Sequence, residues 1–268
     1  MLKNIARPIL EKVKKFKDIH KGESCYLFGD GISLKYFDLN KFSDKISIPC
    51  GFLLFHNDYN SLQVPYSMLI ETYYFYPFVR ENYLKNGKLV KRISLNHIQN
   101  EYRKEMKRRS STEFFLNLSN YPVCYDKNIT YLYKDIPDTS LDSNHISKKF
   151  NCYAGSLRAQ ILLAIYMGFD HVYLVGHDYT HSPAISHHWY EKGQGVITPM
   201  PDFSKEFLNY AKEFINITTI TTDSGSDNLN YIKYEDFFDS KMIFRENNEL
   251  LSEEFLEVLS TYSGYRVY

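Results

Sequence analysis

Residues 151–190 read NCYAGSLRAQILLAIYMGFDHVYLVGHDYTHSPAISHHWY, and their pattern decides the fold class. From Ser156 to Met167 the apolar residues Leu157, Ile161, Leu162, Ala164 and Ile165 recur at steps of three and four, as one face of a helix requires. Gly168 supplies the stop, because glycine accepts the left-handed backbone that ends helices. Residues 172–176, VYLVG, are a short β-branched and aromatic run, the pattern of a strand covered on both faces of a parallel sheet. A polar segment follows, with His177, Asp178, Thr180, His181, His187 and His188. It leaves the strand's carboxyl end, where open α/β sheets bind their ligands. Helix, buried strand and polar loop in that order predict an α/β fold with a mostly parallel central sheet.

Working outward, SCYLF at 24–28 predicts a first strand, and Gly29-Asp30-Gly31-Ile32-Ser33-Leu34 a sharp turn after it. In a strand-to-helix turn of small residues, free N–H groups at Gly31 to Leu34 would face a phosphate. A turn with two glycines also serves as a plain structural bend, and both readings stand. A second strand is predicted over 46–55 and a third over 66–70; residues 80–113 form a charged helical insertion with Arg103, Lys104, Lys107, Arg108 and Arg109. That cluster reads as a solvated face or as a patch for an anionic acceptor or lipid headgroup. Residues 114–150 predict one further strand and a loop. Residues 181–201, which end in the Gly- and Pro-rich EKGQGVITPMP, predict a small lid. Asp202 opens a helix running to Ile215, a strand follows at 217–221, DSGSDNLNYI reads as turns, and 247–268 closes as an acidic helix.

Residues 1–22 place Leu2, Ile5, Ile9, Val13 and Phe16 on one stripe amid lysines, which predicts an amphipathic helix. It either packs on the domain or makes peripheral contact with an anionic membrane face. The main domain then spans 23–246. Lysine plus arginine equals aspartate plus glutamate at 32 each, so no global field favours nucleic acid. Cys25, Cys50, Cys124 and Cys152 show no CxxC pair and read as reduced thiols. The chain lacks an apolar run of about 18 residues and a signal-peptide core, so the expected location is the cytoplasm, with the inner membrane face open.

Three stretches, YLFGDGISLKYFD at 26–38, YAGSLRAQILLAIYMGFDHVYLVGHDYT at 153–180, and HHWYEKGQG through PDFSKEFLNYAKEF at 187–214, resemble the bacterial sialyltransferases of glycosyltransferase family 42. They also resemble a related group that includes hydroxymethylpterin pyrophosphokinase-like proteins. The resemblance covers about a third of the chain. It implies a single Rossmann-like domain with a small lid that transfers a CMP-activated sialic acid or related nonulosonate, with inversion and no metal cofactor, to a bacterial surface glycan or its lipid-linked precursor. Gly29, Asp30, Gly31 and Ser33 would hold the nucleotide phosphate, Gly155 and Ser156 would touch phosphate or sugar, and Asp178 would sit near the cytidine or its ribose. Where the family carries a tyrosine pair that helps the phosphate leave, this chain has Thr180, with Tyr179 and Tyr190 close by. The family's histidine base maps to His187 or His188, and a neutral imidazole suits the removal of a hydroxyl proton.

Alternatives from other classes remain. Asp30 and Asp178 could hold Mg²⁺ in a diphosphotransferase, the histidines together with Asp178 could ligate a divalent metal, or the fold could bind a nucleotide without catalysis. A homo-oligomer also stays open.

Overall fold

A computed structural model describes residues 2–76, 82–85, 88–91, 95–133, 155–199, 205–262 and 264–268. The strands in chain order are β1 (Ser24–Phe28), β2 (Ile46–Pro49), β3 (Tyr66–Leu69), β4 (Asn82–Lys85), β5 (Lys88–Lys91), β6 (Glu113–Asn117), β7 (Ile129–Leu132), β8 (His171–Val175), β9 (Ala184–Ser186), β10 (Val196–Thr198), β11 (Asn216–Thr221) and β12 (Asn230–Lys233). The helices are α1 (Leu2–Glu11), α2 (Leu95–Arg108), α3 (Ser156–Met167), α4 (Lys205–Ala211), α5 (Tyr234–Phe238), α6 (Asn247–Leu250) and α7 (Glu253–Ser260).

The central sheet has five strands in the order β12-β11-β8-β1-β2, all parallel. A second parallel sheet, β3-β6-β7, continues it beyond β2 through the single bridges Ile46 to Gln63 and Cys50 to Met68. The chain is therefore the α/β protein with a mostly parallel sheet that the 151–190 pattern predicts. From β1 the path runs outward through β2, β3, β6 and β7, then crosses back to β8 on the other side of β1. The strand order reverses between β1 and β8, which is where such sheets form a ligand crevice.

One apolar layer, with Cys25, Leu27, Val172 and Leu174 from the sheet, packs under α3 and α4; the other, with Tyr26, Phe28 and Val175, packs under α2, α5 and α7. Helix α3 is buried on nearly every side, from Ala159 through Ala164, rather than on the one face its spacing suggests. Each fully buried leucine or isoleucine there contributes about 1.5–3 kcal/mol, so packing rather than propensity holds the helix. Gly168 ends it with φ +87°, and the Gln160 amide ties it to the carbonyls of Phe28 and Ile48 at 2.9 and 2.7 Å.

Several boundaries differ from expectation. Residues 114–132 form two strands, β6 and β7, because FFLN and ITYL are both buried. The turn-rich NYIK at 230–233 is the edge strand β12, whose exposed side chains hide its strand character. The insertion at 80–113 opens with the antiparallel hairpin β4–β5 before α2, and its last residue, Glu113, begins β6. The closing helix is two, α6 and α7, because Ser252 caps a new start by accepting the Phe255 N–H at 3.3 Å. Helix α4 ends at Ala211, short of the predicted Ile215, and Asp202 lies outside the described residues, as do Cys152, Ala154 and residues 134–150, where a loop is expected.

At the amino end α1 continues as a turn of 3-10 helix over Lys12–Phe16 and packs against β7, with Leu10, Val13 and Phe16 buried. Four of its cations pair within the protein: Lys12 and Lys15 with Glu113, Arg7 and Lys14 with Glu11. No helix among the described residues is long and apolar enough to cross a membrane.

Candidate active site

The turns after β1 and β8 touch, and their glycines are set by that contact. A Cβ on Gly29 would lie 2.4 Å from the Gly176 carbonyl oxygen, and one on Gly31 would lie 2.5 Å from the same oxygen and 2.6 Å from Asp178 Oδ2. Gly31 N–H donates to Gly176 O at 2.7 Å, Ser33 N–H to Asp178 Oδ2 at 2.7 Å, and Leu34 N–H to Gly31 O at 3.3 Å. The N–H groups expected to await a phosphate at Gly31, Ser33 and Leu34 are thus occupied by the protein itself. The small residues allow the two turns to approach each other this closely.

Asp178 is 1% exposed and also accepts the Ser33 hydroxyl at 2.5 Å, so it staples the two turns together. Thr180 is buried as well; its hydroxyl donates to His177 O at 2.8 Å and lies 3.2 Å from Thr219 Oγ1. Burial drives the His177 imidazole down to about 3 and lowers that of His181, so both stay neutral inside the fold. Among the described residues no group of three or more His, Cys, Asp or Glu side chains is arranged to hold a metal ion.

His188 differs from these histidines. The hairpin β9–β10 carries the loop 187–195, and His187 adopts φ +80° at the point where this loop turns in towards the sheet. His188 bridges in antiparallel fashion to Gly31, and Trp189 N–H donates to Asp30 O at 3.1 Å. Nδ1 of His188 lies 2.6 Å from Glu191 Oε1, its ring stacks on Tyr190 at 4.9 Å and 5°, and its side chain remains 39% exposed. Burial raises the Glu191 carboxyl, but the His188 contact and the Arg266 N–H outweigh it and leave a net lowering. An ionised carboxylate at Nδ1 selects the Nδ1–H tautomer and leaves Nε2 as the acceptor.

Of the expected lid, residues 188–191 form a fixed wall. Trp189, Tyr190 and Glu191 are buried, and the chain's last stretch clamps them: Lys192 N–H donates to Arg266 O at 2.6 Å, Arg266 N–H to Glu191 Oε2 at 3.2 Å, and the Asn247 amide to Tyr190 O at 3.1 Å. Lys35, with its side chain fully buried, pairs with Glu246 and donates to Gly193 O at 2.8 Å. Tyr190 shares a hydrogen bond with the Tyr265 phenol and stacks under the His188 ring. Residues 200–201 lie outside the described residues.

Asp30 faces this wall. Its carboxylate accepts the Trp189 indole N–H at 3.1 Å and the Phe52 N–H at 3.1 Å. Gly51, at φ +63°, leaves the space for it: a Cβ there would come 1.6 Å from Asp30 Oδ2. Desolvation raises Asp30 from 3.8 to about 6 against the partial relief given by His188, Trp189 and Phe52. With Asp178 engaged by Ser33, neither carboxylate of the Mg²⁺ reading is left without protein donors.

The other wall is the start of α3. Gly155 is exposed at φ +105°, and a Cβ added there would meet nothing within 4 Å. Ser156 starts the twelve-residue α3, whose first N–H groups have no partner within the helix. The Cys50 thiol, in reach of Ser156, connects that start to the end of β2.

Glu191 and the Asp30–Trp189 tie escape sequence reading. The signal was the pair His188 and Glu191 three residues apart, hidden in a glycine-rich run that reads as mobile.

Fold and site together define a doubly covered parallel α/β protein with a histidine–carboxylate pair at the carboxyl edge of its sheet. Among solved structures it is similar to the sialyltransferase CstII from Campylobacter jejuni in complex with the substrate analogue CMP-3FNeuAc, at 16% identity and TM-score 0.45 over 89% of this chain and 99% of that one. It is likewise similar to CstII with cytidine-5'-monophosphate, at 16% identity and TM-score 0.46 over 90% and 98% of the two chains. No family model matches the sequence, and no curated protein does. Likeness at this level assigns neither activity nor substrate.

Proposed function

We propose that the protein is a glycosyltransferase in which His188, oriented by Glu191, removes the proton of an acceptor hydroxyl. The observation that carries this reading is the 2.6 Å contact between His188 Nδ1 and Glu191 Oε1, beside the reversal of strand order. With Nδ1 engaged by the carboxylate, Nε2 is the ring nitrogen that can accept a proton. The acceptor oxygen attacks the anomeric carbon, the bond from that carbon to the donor phosphate breaks with its electron pair, and the proton ends on Nε2. A single displacement of this kind inverts the anomeric centre. The departing phosphate would be met by the N-terminus of α3 at Gly155 and Ser156, where the first N–H groups of the helix and its dipole favour negative charge.

For the donor, the resemblance of residues 26–38 and 153–180 to family 42 sialyltransferases favours CMP-sialic acid or a related nonulosonate, and for the acceptor a bacterial surface glycan. A thermal-shift series with CMP, UDP, GDP and ATP, with and without Mg²⁺, tests it. Selective stabilisation by CMP is expected, about 2.7 kcal/mol at a hundred times Kd. Stabilisation by ATP with Mg²⁺ alone would sink the reading.

A further inference from the structure

The geometry points to Asp30 as a positioning residue for His188, acting through Trp189, and not as a ligand for the donor phosphate; this rests on the reading of His188 as base. Four observations converge. The Asp30 carboxylate binds the Trp189 indole N–H and the Phe52 N–H, both at 3.1 Å. The Asp30 carbonyl accepts the Trp189 backbone N–H at 3.1 Å, so side chain and main chain of one residue both grip the neighbour of His188. The bridge from Gly31 to His188 then sets the imidazole one residue from that double anchor. A space at Gly51 that no Cβ could share is filled by the same carboxylate. A phosphate placed beside this carboxylate would meet like charge in a poorly hydrated surround. The donor charge is therefore directed to the α3 wall.

Trp189 is the only tryptophan of the chain, so its emission reports the surroundings of this one indole, which besides Asp30 include the His56 ring at 5.0 Å, whose imidazole burial drives down to about 4. The ionisable groups that face Asp30 are His188, Glu71 and Cys50. The phenols of Tyr74, Tyr102, Tyr190 and Tyr265 also surround it, and burial raises each, so they stay protonated throughout the range of interest.

The test uses the whole protein with Asp30→Asn and Asp30→Ala. In ligand-free wild type, Trp189 emission should titrate with a midpoint near 6, and the transition should vanish in Asp30→Asn. With CMP as probe, calorimetry should give a Kd within twofold of wild type for Asp30→Asn. In turnover with CMP-sialic acid, Asp30→Ala should lower kcat at least tenfold with donor KM held within twofold, and Asp30→Asn, which keeps an acceptor for the indole, should recover part of the loss. An emission transition near 6 that persists in Asp30→Asn overturns the proposal. So does a tenfold loss of CMP affinity with kcat retained. If the wild type does not bind CMP, the proposed function fails, while the emission titration still decides whether Asp30 holds Trp189.

Discussion

Glu191 Oε1 lies 2.6 Å from His188 Nδ1, and the same carboxylate accepts the His188 backbone N–H at 3.2 Å. One side chain thus fixes both the ring and the main chain of the proposed base. His188→Ala should lower turnover by about 10²–10⁴-fold, and Glu191→Gln, which keeps the shape but not the charge, by roughly tenfold or more. Because the Glu191 carboxyl is held below its ordinary 4.5, its contribution to stability is present above that pH and lost as pH falls through the lower folded value. Steady-state rates of both variants between pH 5 and 9, with circular dichroism to confirm the fold, check this.

The sign is opposite at Asp30. Its folded value of about 6 exceeds the unfolded 3.8, so the ionised carboxylate weakens the fold, and stability is lost as pH rises through 6. The interval corresponds to at most about 3 kcal/mol. Asp30→Asn should be more stable than wild type by about 1–3 kcal/mol at pH 8 and gain nothing at pH 4. Urea midpoints at the two pH values measure it. A gain of equal size at both would show that the charge is not the cause.

Gly51→Ala should act at a distance from His188. Its Cβ would fall 1.6 Å from Asp30 Oδ2 in a left-handed backbone, so a loss of about 2–4 kcal/mol is expected, together with altered Trp189 emission. A variant that unfolds at lower urea but keeps native emission would place the damage elsewhere than Asp30.

Asp178→Ala should be costly for a structural reason. It strands the buried Ser33 N–H and hydroxyl, so roughly 2–4 kcal/mol of stability should be lost. If instead stability is kept and only nucleotide affinity falls, Asp178 contacts the ligand and the staple is secondary.

Much of the fold was legible in local signals. The α3–β8 unit followed from helical spacing, a glycine stop and a buried apolar run, and the structure places it at 156–167 and 171–175. Edge strand β12 was not, because its exposed NYIK carries no apolar alternation. Within the site, residue type pointed to His188, but its surroundings were invisible. Glu191 is buried by Arg266, which lies 75 residues further along the chain, and Asp30 by Trp189, 159 residues away. Sequence spacing holds no trace of such contacts, nor of the close approach of Gly29 and Gly31 to the Gly176 carbonyl.

The most direct measurement is transfer itself: CMP-sialic acid incubated with a panel of oligosaccharide acceptors, in EDTA, with the products weighed by mass spectrometry for wild type and His188→Ala. Sialylated product from the wild type, reduced at least a hundredfold in the variant, is the predicted result. Product formation undiminished in His188→Ala, or no transfer from any nucleotide sugar by a folded wild type, would contradict it.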